Sequence, residues 1–85
     1  MKIVFDPAKD EVNRTKHGVS LARAVDFEIL AVIADDRQDY GEPRTRAFGV
    51  IDGEAHCLVF TVRDGFVRAI SLRRAHLKEY RRYVR

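Results

Sequence analysis

Hydrophobic and polar positions alternate in three short runs along the second half of the chain, at residues 44–51, 55–62 and 66–72. Alternation with a period of two is typical of β-strands, whose successive side chains point to opposite faces. The runs are separated by Asp52-Gly53 and Asp64-Gly65, and an Asp-Gly pair favours a tight hairpin because glycine accepts a positive φ. The pattern therefore predicts a three-stranded antiparallel meander.

The second turn decides which side chains share a face of this meander. A two-residue turn would place the apolar residues of the two strands on opposite faces, so the pattern predicts a three-residue turn over 63–65 with Gly65 in a bulge. One face then carries Leu58, Phe60, Val62, Phe66, Ile70 and Leu72. The other face carries Cys57, Val59, Thr61, Val67, Ala69, Ser71 and Arg73, with Arg63 at its rim.

The first half of the chain predicts two helices between two strands. A short β-run at 2–5 leads into Asp6-Pro7, a helix-start signal, and the helix is predicted to span 7–17 and to end at Gly18. Ser20 is the predicted cap of a second helix that ends near residue 28.

Residues 29–34 form an apolar run in which the β-branched residues favour a strand. The polar segment 35–43 is predicted to be a loop, and residues 73–84 a closing helix that docks through Leu77, Tyr80 and Val84. The order is β, α, α, β, then the meander, then α, which predicts an α+β fold in one domain, because 85 residues suit a single core.

Composition indicates the class of protein and its expected compartment. Hydrophobic residues make up 46% of the chain and charged residues 34%, which is typical of a globular protein. The sequence has no apolar run of about 18 residues that could span a membrane, and it begins without a signal-peptide pattern, so a cytoplasmic protein is expected. The single cysteine, Cys57, lies in an apolar strand and is predicted to fill the core.

Positive charge is concentrated at one end of the chain. Residues 63–85 hold eight Arg or Lys residues and two acidic residues, whereas residues 1–62 hold eight basic and eleven acidic residues. Such a segment indicates either a polyanionic partner or a solvated basic helix, and charge alone does not separate the two.

Signatures of several enzyme classes are missing from the sequence. It contains no G-x-S-x-G, no phosphate-binding glycine loop, no C-x-x-C and no H-E-x-x-H. What remains is a set of arginines with histidine and lysine, which suits a phosphodiester because guanidinium groups can stabilise its transition-state charge while histidine moves protons.

Four segments in order resemble the BrnT toxins of bacterial type II toxin–antitoxin modules: Asn13-x-x-Lys16-His17-Gly18-Val19-Ser20, Asp36-x-x-x-Tyr40-Gly41-Glu42-x-Arg44, Thr61-x-Arg63, and Ile70-Ser71-x-Arg73-x-Ala75. The resemblance covers nearly the whole chain. It implies a RelE-like fold, metal-independent RNA cleavage without a cofactor, and inhibition of translation and growth. It also implies neutralisation by a BrnA-type antitoxin, whose ribbon-helix-helix region alone would contact operator DNA.

The predicted site combines these residues. His17, helped by Lys16, is predicted to move protons while Arg63 and Arg73 hold the scissile phosphate of an RNA substrate. Substrate contacts are predicted for Arg44, Ser71 and Arg74, and no metal ligand is predicted. The antitoxin is expected to bury the face of Arg63, Ser71 and Arg73.

Two other functions stay open at this point. The chain could bind nucleic acid through its positive charge without cleaving it, or it could be a protein-interaction domain whose basic helix binds an acidic partner. His17 could also serve only as the cationic end of its helix, and His76 is predicted to have no chemical role.

Overall fold

A computed structural model describes residues 2–85 and contains five strands, two α-helices and one 3₁₀ helix. In chain order these are β1 (Lys2–Val4), α1 (Pro7–His17), the 3₁₀ helix (Leu21–Asp26), β2 (Glu28–Ala34), β3 (Thr45–Ile51), β4 (Glu54–Arg63), β5 (Phe66–Arg74) and α2 (Leu77–Tyr83). The predicted order of elements is confirmed, and the class is α+β.

The strands form one mixed sheet in the order β1-β5-β4-β3-β2. β1 runs parallel to β5 and the other neighbours are antiparallel, so the predicted meander β3-β4-β5 forms the centre of the sheet. β1 pairs only with residues 66–68 of β5. The second half of β5 therefore has an edge that β1 does not cover.

Helices cover both faces of the sheet. On one face, α1 and the 3₁₀ helix pack against the main apolar cluster, which comprises Leu21, Ala24, Ala47, Ile51, Leu58, Ala69 and Leu72. On the other face, α2 places Tyr83 on Phe48 with ring centroids 5.2 Å apart. Within residues 2–85, no helix is long and apolar enough to cross a membrane.

The start and end of α1 follow the local signals. The Asp6 carboxylate accepts a hydrogen bond from the Ala8 N–H at 2.9 Å, Pro7 is the first helical residue, and Gly18 ends the helix with φ of 73°. The Gly18 N–H donates to the Arg14 carbonyl at 2.9 Å. These contacts are local, which is why the sequence predicted both ends.

The second helix differs from the prediction, because Leu21–Asp26 is a single 3₁₀ helix. The Ser20 side chain caps it as expected and accepts a bond from the Ala22 N–H. The Phe27 N–H then bonds the Ala24 carbonyl, three residues back. This tight bonding is typical of short 3₁₀ segments, and it ends the helix where β2 begins.

Both Asp-Gly turns are two-residue hairpins. Asp52 and Gly53 have φ of 51° and 76°, and Asp64 and Gly65 have φ of 52° and 79°, so both central residues are left-handed as a type I′ turn requires. Arg63 lies directly opposite Phe66. The predicted three-residue turn is therefore wrong.

An extra residue in β5 replaces the predicted bulge at the turn. The register shifts between Val59 and Phe60 of β4, which pair with Ser71 and Ala69, so Ile70 has no partner. Because of this shift, the β5 residues before Ile70 point to the opposite face of the sheet from the one predicted. Ser71 and Arg73 stay on the predicted face with Val59 and Cys57, whereas Val67 and Ala69 move to the core face and Phe66 and Arg68 move away from it.

The closing helix starts later than predicted. Arg73 and Arg74 pair with Cys57 and His56 in the sheet, so β5 continues through Arg74 and α2 begins at Leu77. The predicted apolar stripe is also only partly used. Leu77 remains 59% exposed, and the aromatic contact of α2 is made by Tyr83 instead.

Candidate functional site

His17 is the last residue of α1, and its position depends on Asn13 one turn earlier. The buried Asn13 amide donates to the Val19 and Leu72 carbonyls, both at 2.8 Å, and its oxygen accepts from the Leu72 N–H at 3.0 Å. The two bonds to Leu72 satisfy backbone groups on the edge of β5 that β1 does not cover. Asn13 thus fixes the end of α1, and His17 with it, beside β5.

A first cleft of about 350 Å³ lies between α1 and β5. Its lining includes three of the predicted site residues, Lys16, His17 and Ser71. The remaining surface is largely apolar and comes from residues such as Val12 and Ile70. The structure therefore brings this part of the predicted site together.

A second cleft of about 250 Å³ lies on the other side of His17, between the end of α1 and the β3–β4 hairpin. It is more polar than the first cleft. His17, His56, Arg74 and Arg23 contribute basic groups, and Asp52 and Glu54 contribute carboxylates. His17 thus lines both clefts. It lines the second one together with Arg74, which was predicted to contact the substrate.

The sequence reasoning missed His56. This residue lies on β4 directly opposite Arg74 of β5, and side chains at such paired positions are neighbours on one face of a sheet. Its Nδ1 is 2.8 Å from the Glu54 carbonyl oxygen. An imidazole at a core-facing position of an apolar strand was the available signal, but only the correct register places it beside Arg74.

The surroundings of His17 favour its neutral form. Burial lowers the pKa of His17 below its usual 6.5, and the nearby positive charges of Lys16 and Arg73 lower it further. A neutral imidazole at neutral pH can accept a proton, so this environment suits a general base.

Arg74 carries an accessible guanidinium group. Its side chain is 72% exposed and forms an ion pair with Glu54, whose side chain is 52% exposed. Ion pairs between exposed side chains contribute little free energy. Arg74 can therefore exchange this carboxylate for a phosphate.

Arg73 is less available than the sequence suggested. Its side chain is 19% exposed and donates to Glu79 of α2 at 3.0 Å, and the buried Arg46 donates to the other oxygen of Glu79 at 3.1 Å. Arg73 is near enough to lower the pKa of His17. Its guanidinium group, however, also holds α2 on the sheet.

Arg63 and Arg44 lie at the opposite end of the meander. Arg63 donates to Glu42 at 2.6 Å, and Arg44 lies 3.7 Å from the same carboxylate with its guanidinium over the Tyr40 ring. The partners of Arg63 and Arg73 on the sheet place them six positions apart along β4, or about 20 Å at the usual rise per strand residue. Arg63 and Arg73 are held by two different carboxylates, those of Glu42 and Glu79, so the structure does not bring their guanidinium groups together, although they share a face.

A comparison with protein families identifies the family of this chain. A family model described as the ribonuclease toxin, BrnT, of type II toxin-antitoxin systems matches residues 5–79. The chain belongs to the BrnT family. A search of curated proteins gave no match.

Membership in the BrnT family has two direct consequences. The class of activity is that of a ribonuclease toxin, and a type II toxin has a cognate antitoxin as its partner. The matched range contains α1, the meander and both clefts. The residues around His17 therefore belong to the part of the chain that defines the family.

Two further ionisable groups of this BrnT protein are buried. Cys57 is 1% exposed, and burial raises the pKa of its thiol, which disfavours the nucleophilic thiolate. Asp35, in the aspartate-rich segment, is buried and forms a bidentate pair with Arg37 at 2.7 and 2.9 Å. Among residues 2–85, no group of three or more His, Cys, Asp or Glu side chains could hold a metal ion.

Proposed function

We propose that this BrnT protein is a cytoplasmic endoribonuclease that cleaves RNA without a metal ion, and that this cleavage inhibits translation and growth. The observation that carries the proposal is the second cleft. There the neutral His17 imidazole and the exposed Arg74 guanidinium line one cavity, and a phosphodiester needs both a proton acceptor and a positive group.

The reaction would use the 2′-hydroxyl of the substrate as its nucleophile. His17 accepts the 2′-hydroxyl proton while the oxygen attacks the adjacent phosphorus, and Arg74 stabilises the charge that develops on the phosphate oxygens. Lys16 supports this step because its charge helps to keep His17 neutral. Ser71, on the wall of the first cleft, contacts the substrate next to the scissile bond.

The arginines at the far end of the meander would bind RNA away from the scissile bond. Arg63 is 54% exposed at the far end of β4 and Arg44 lies beside it. Contacts of this kind hold the phosphate backbone without taking part in the reaction. Arg73 would act on His17 through its charge and would hold α2 in place.

The antitoxin is proposed to be of the BrnA type, with a ribbon-helix-helix region that alone contacts operator DNA. It would silence the toxin by covering the clefts around His17, because a blocked cleft excludes RNA. Burial of Arg63, Ser71 and Arg73 together would require a contact that extends along the whole meander. The fold is proposed to be RelE-like, in keeping with the order of its helices and its central meander.

Cleavage in EDTA tests the proposal. Purified protein is incubated with end-labelled RNA in excess EDTA, and the product ends are mapped. We expect cleavage that leaves a 2′,3′-cyclic phosphate and a 5′-hydroxyl, and we expect His17→Gln to slow it by about 10² to 10⁴. The matched control is His76→Gln, since His76 is exposed at the start of α2. RNA that is bound but uncut, or cut only with added Mg²⁺, would overturn the proposed mechanism.

Co-expression with the product of the adjacent reading frame tests the partner. We expect a stable complex on gel filtration in which RNA cleavage is lost and the clefts around His17 are protected from hydrogen exchange. A complex that neutralises the toxin while both clefts exchange as in the free protein would overturn the proposed placement.

A further inference from the structure

The proposed mechanism leaves one proton transfer unassigned. When the 2′-oxygen attacks phosphorus, the bond from phosphorus to the 5′-oxygen breaks and its electron pair leaves with that oxygen. An alkoxide is a poor leaving group in water, so a general acid must supply a proton as the bond breaks. His17 cannot supply it in the same step if it is accepting the 2′-hydroxyl proton.

We infer that His56 is this general acid and that its Nε2 delivers the proton to the 5′-oxygen. The inference rests on the proposed ribonuclease function. Three observations support it, and all of them concern the second cleft.

The first observation is the position of His56 across from the phosphate-binding arginine. His56 and Arg74 are directly paired positions of β4 and β5, so their side chains emerge side by side from the sheet. A phosphate held by Arg74 therefore lies next to the His56 ring. His17 reaches the same cleft from the end of α1, so the two imidazoles approach from different elements.

The second observation is the hydrogen bond that orients the ring. Nδ1 lies 2.8 Å from the Glu54 carbonyl oxygen. A carbonyl only accepts, so Nδ1 carries the proton and donates, which leaves Nε2 as the nitrogen that gains and loses a proton.

The third observation is burial. His56 is only 6% exposed yet lines the cleft, and it projects from the middle of a sheet in which both neighbouring strands are paired. A ring held in this way keeps its orientation when substrate binds, and such rigidity is what effective proton transfer requires.

The step balances. His17 gains the 2′-hydroxyl proton, the bond from the 2′-oxygen to phosphorus forms, and the bond from phosphorus to the 5′-oxygen breaks. The His56 imidazolium gives its Nε2 proton to the departing oxygen. The products are a 2′,3′-cyclic phosphate and a 5′-hydroxyl, and the two histidines return to their starting forms by exchanging protons with water.

A substrate with a sulfur leaving group tests the assignment. In an oligonucleotide with sulfur in place of the bridging 5′-oxygen, the leaving thiolate needs no proton, so the reaction no longer needs a general acid. Single-turnover rates are measured for this RNA and for its oxygen counterpart with the full-length protein. His56→Asn is the informative variant, because the asparagine amide can replace the Nδ1 donor while Nε2 is removed. His56→Gln is a second variant in case the first is unstable.

We expect His56→Asn to slow cleavage of the oxygen substrate by about 10² to 10⁴ and to cleave the sulfur substrate at nearly the wild-type rate. His17→Gln should stay slow on both substrates, and His76→Gln should match the wild type on both. A folding defect would slow both substrates together, so each His56 variant is first shown by its melting curve to be folded at the assay temperature. A folded His56 variant that is equally slow on both substrates overturns the inference, as does one that is unimpaired on oxygen. A wild-type protein that cleaves neither RNA overturns the proposed function as well.

Discussion

At the scale of single residues, the chemistry depends on what surrounds each side chain. His17 and His76 are the same residue type near helix ends, but burial and two neighbouring cations act on His17, whereas His76 is exposed. Arg73 and Arg74 are adjacent in sequence, yet one is held by Glu79 and the other faces the second cleft. Residue type alone therefore does not assign a role.

The pH dependence of cleavage separates a catalytic His17 from a structural one. Because its pKa is lowered below 6.5, the neutral base is present above that pKa and is lost as the pH falls through it. The acidic limb of the wild-type profile should therefore have its midpoint below 6.5. His17→Gln should lose about 10² to 10⁴ in rate together with this limb. An unchanged rate and profile would remove His17 from the site.

Cys57 should be dispensable for cleavage. It is buried in the centre of the sheet and burial raises its pKa, so its thiolate is disfavoured. Cys57→Ala should retain the cleavage rate while the free energy of unfolding falls by about 1 kcal/mol. Rate assays and a denaturant melt measure both quantities. Loss of activity in a variant that melts normally would place the thiol in the mechanism.

At the scale of elements, the positions of the helices and strands depend on a few contacts between distant parts of the chain. α1 reaches β5 through the Asn13 side chain, which bonds both backbone groups of Leu72. β2 reaches β3 where Gly49 has no side chain, so that the backbone of Glu28 can approach. Each contact involves one small or polar residue.

Asn13→Ala should detach the end of α1. It would leave the buried N–H and C=O of Leu72 without partners, which costs about 2 to 4 kcal/mol. The melting temperature should fall, and cleavage should decrease even under conditions where the variant is folded, because His17 loses its position. Thr15→Ala is the matched control, since Thr15 lies on the same helix and is exposed. Equal behaviour of the two variants would contradict the anchoring role.

Gly49→Ala should displace β2. A Cβ at this position would lie 1.8 Å from the Glu28 carbonyl oxygen, so the strands would have to separate, at a cost of about 3 kcal/mol or more. Gly41→Ala provides the comparison. Gly41 has φ of 73° and open space around it, so alanine there adds only about 1 kcal/mol of backbone strain. Similar melts for both variants would show that β2 adjusts freely.

At the scale of the whole molecule, the basic groups divide between the two ends of the sheet. His17, His56 and Arg74 lie near the β3–β4 hairpin, and Arg63 lies near the β4–β5 hairpin with Arg44. Long RNA can contact both ends, whereas a single phosphate cannot. The fold therefore separates the proposed place of cleavage from the proposed second place of RNA contact.

Stability should fall in acid because of a buried carboxylate. The Arg37 guanidinium lowers the pKa of Asp35 to about 2 from 3.8. A lowered pKa stabilises the fold above pH 3.8, and this contribution is lost as the pH falls through about 2. The melting temperature should therefore decline steeply over this window, and Asp35→Asn should flatten the decline while lowering stability at neutral pH by about 2 kcal/mol. Asp36→Asn is the exposed control, and an identical decline in both variants would contradict the role of Asp35.

The sequence by itself determined the features that rest on neighbouring residues. Asp6-Pro7 and Gly18 bound α1, and both Asp-Gly pairs form hairpins, because a cap or a turn is completed within a few residues. The sequence also singled out His17, at the end of α1, as a candidate for proton transfer, and that role stays a prediction.

Only the tertiary structure decided the features that depend on register. The extra residue at Ile70 allows a two-residue turn while the apolar side chains of β4 and β5 still share the core face. No local signal specified this position, because glycine at the turn is compatible with a two-residue and with a three-residue turn. Through that register, His56 lies beside Arg74, and Arg63 lies far from Arg73. The Asn13 bonds to Leu72 join residues 59 positions apart. Contacts across such separations depend on how whole elements pack, and for that reason the pairing of His56 with Arg74 became visible only in the fold.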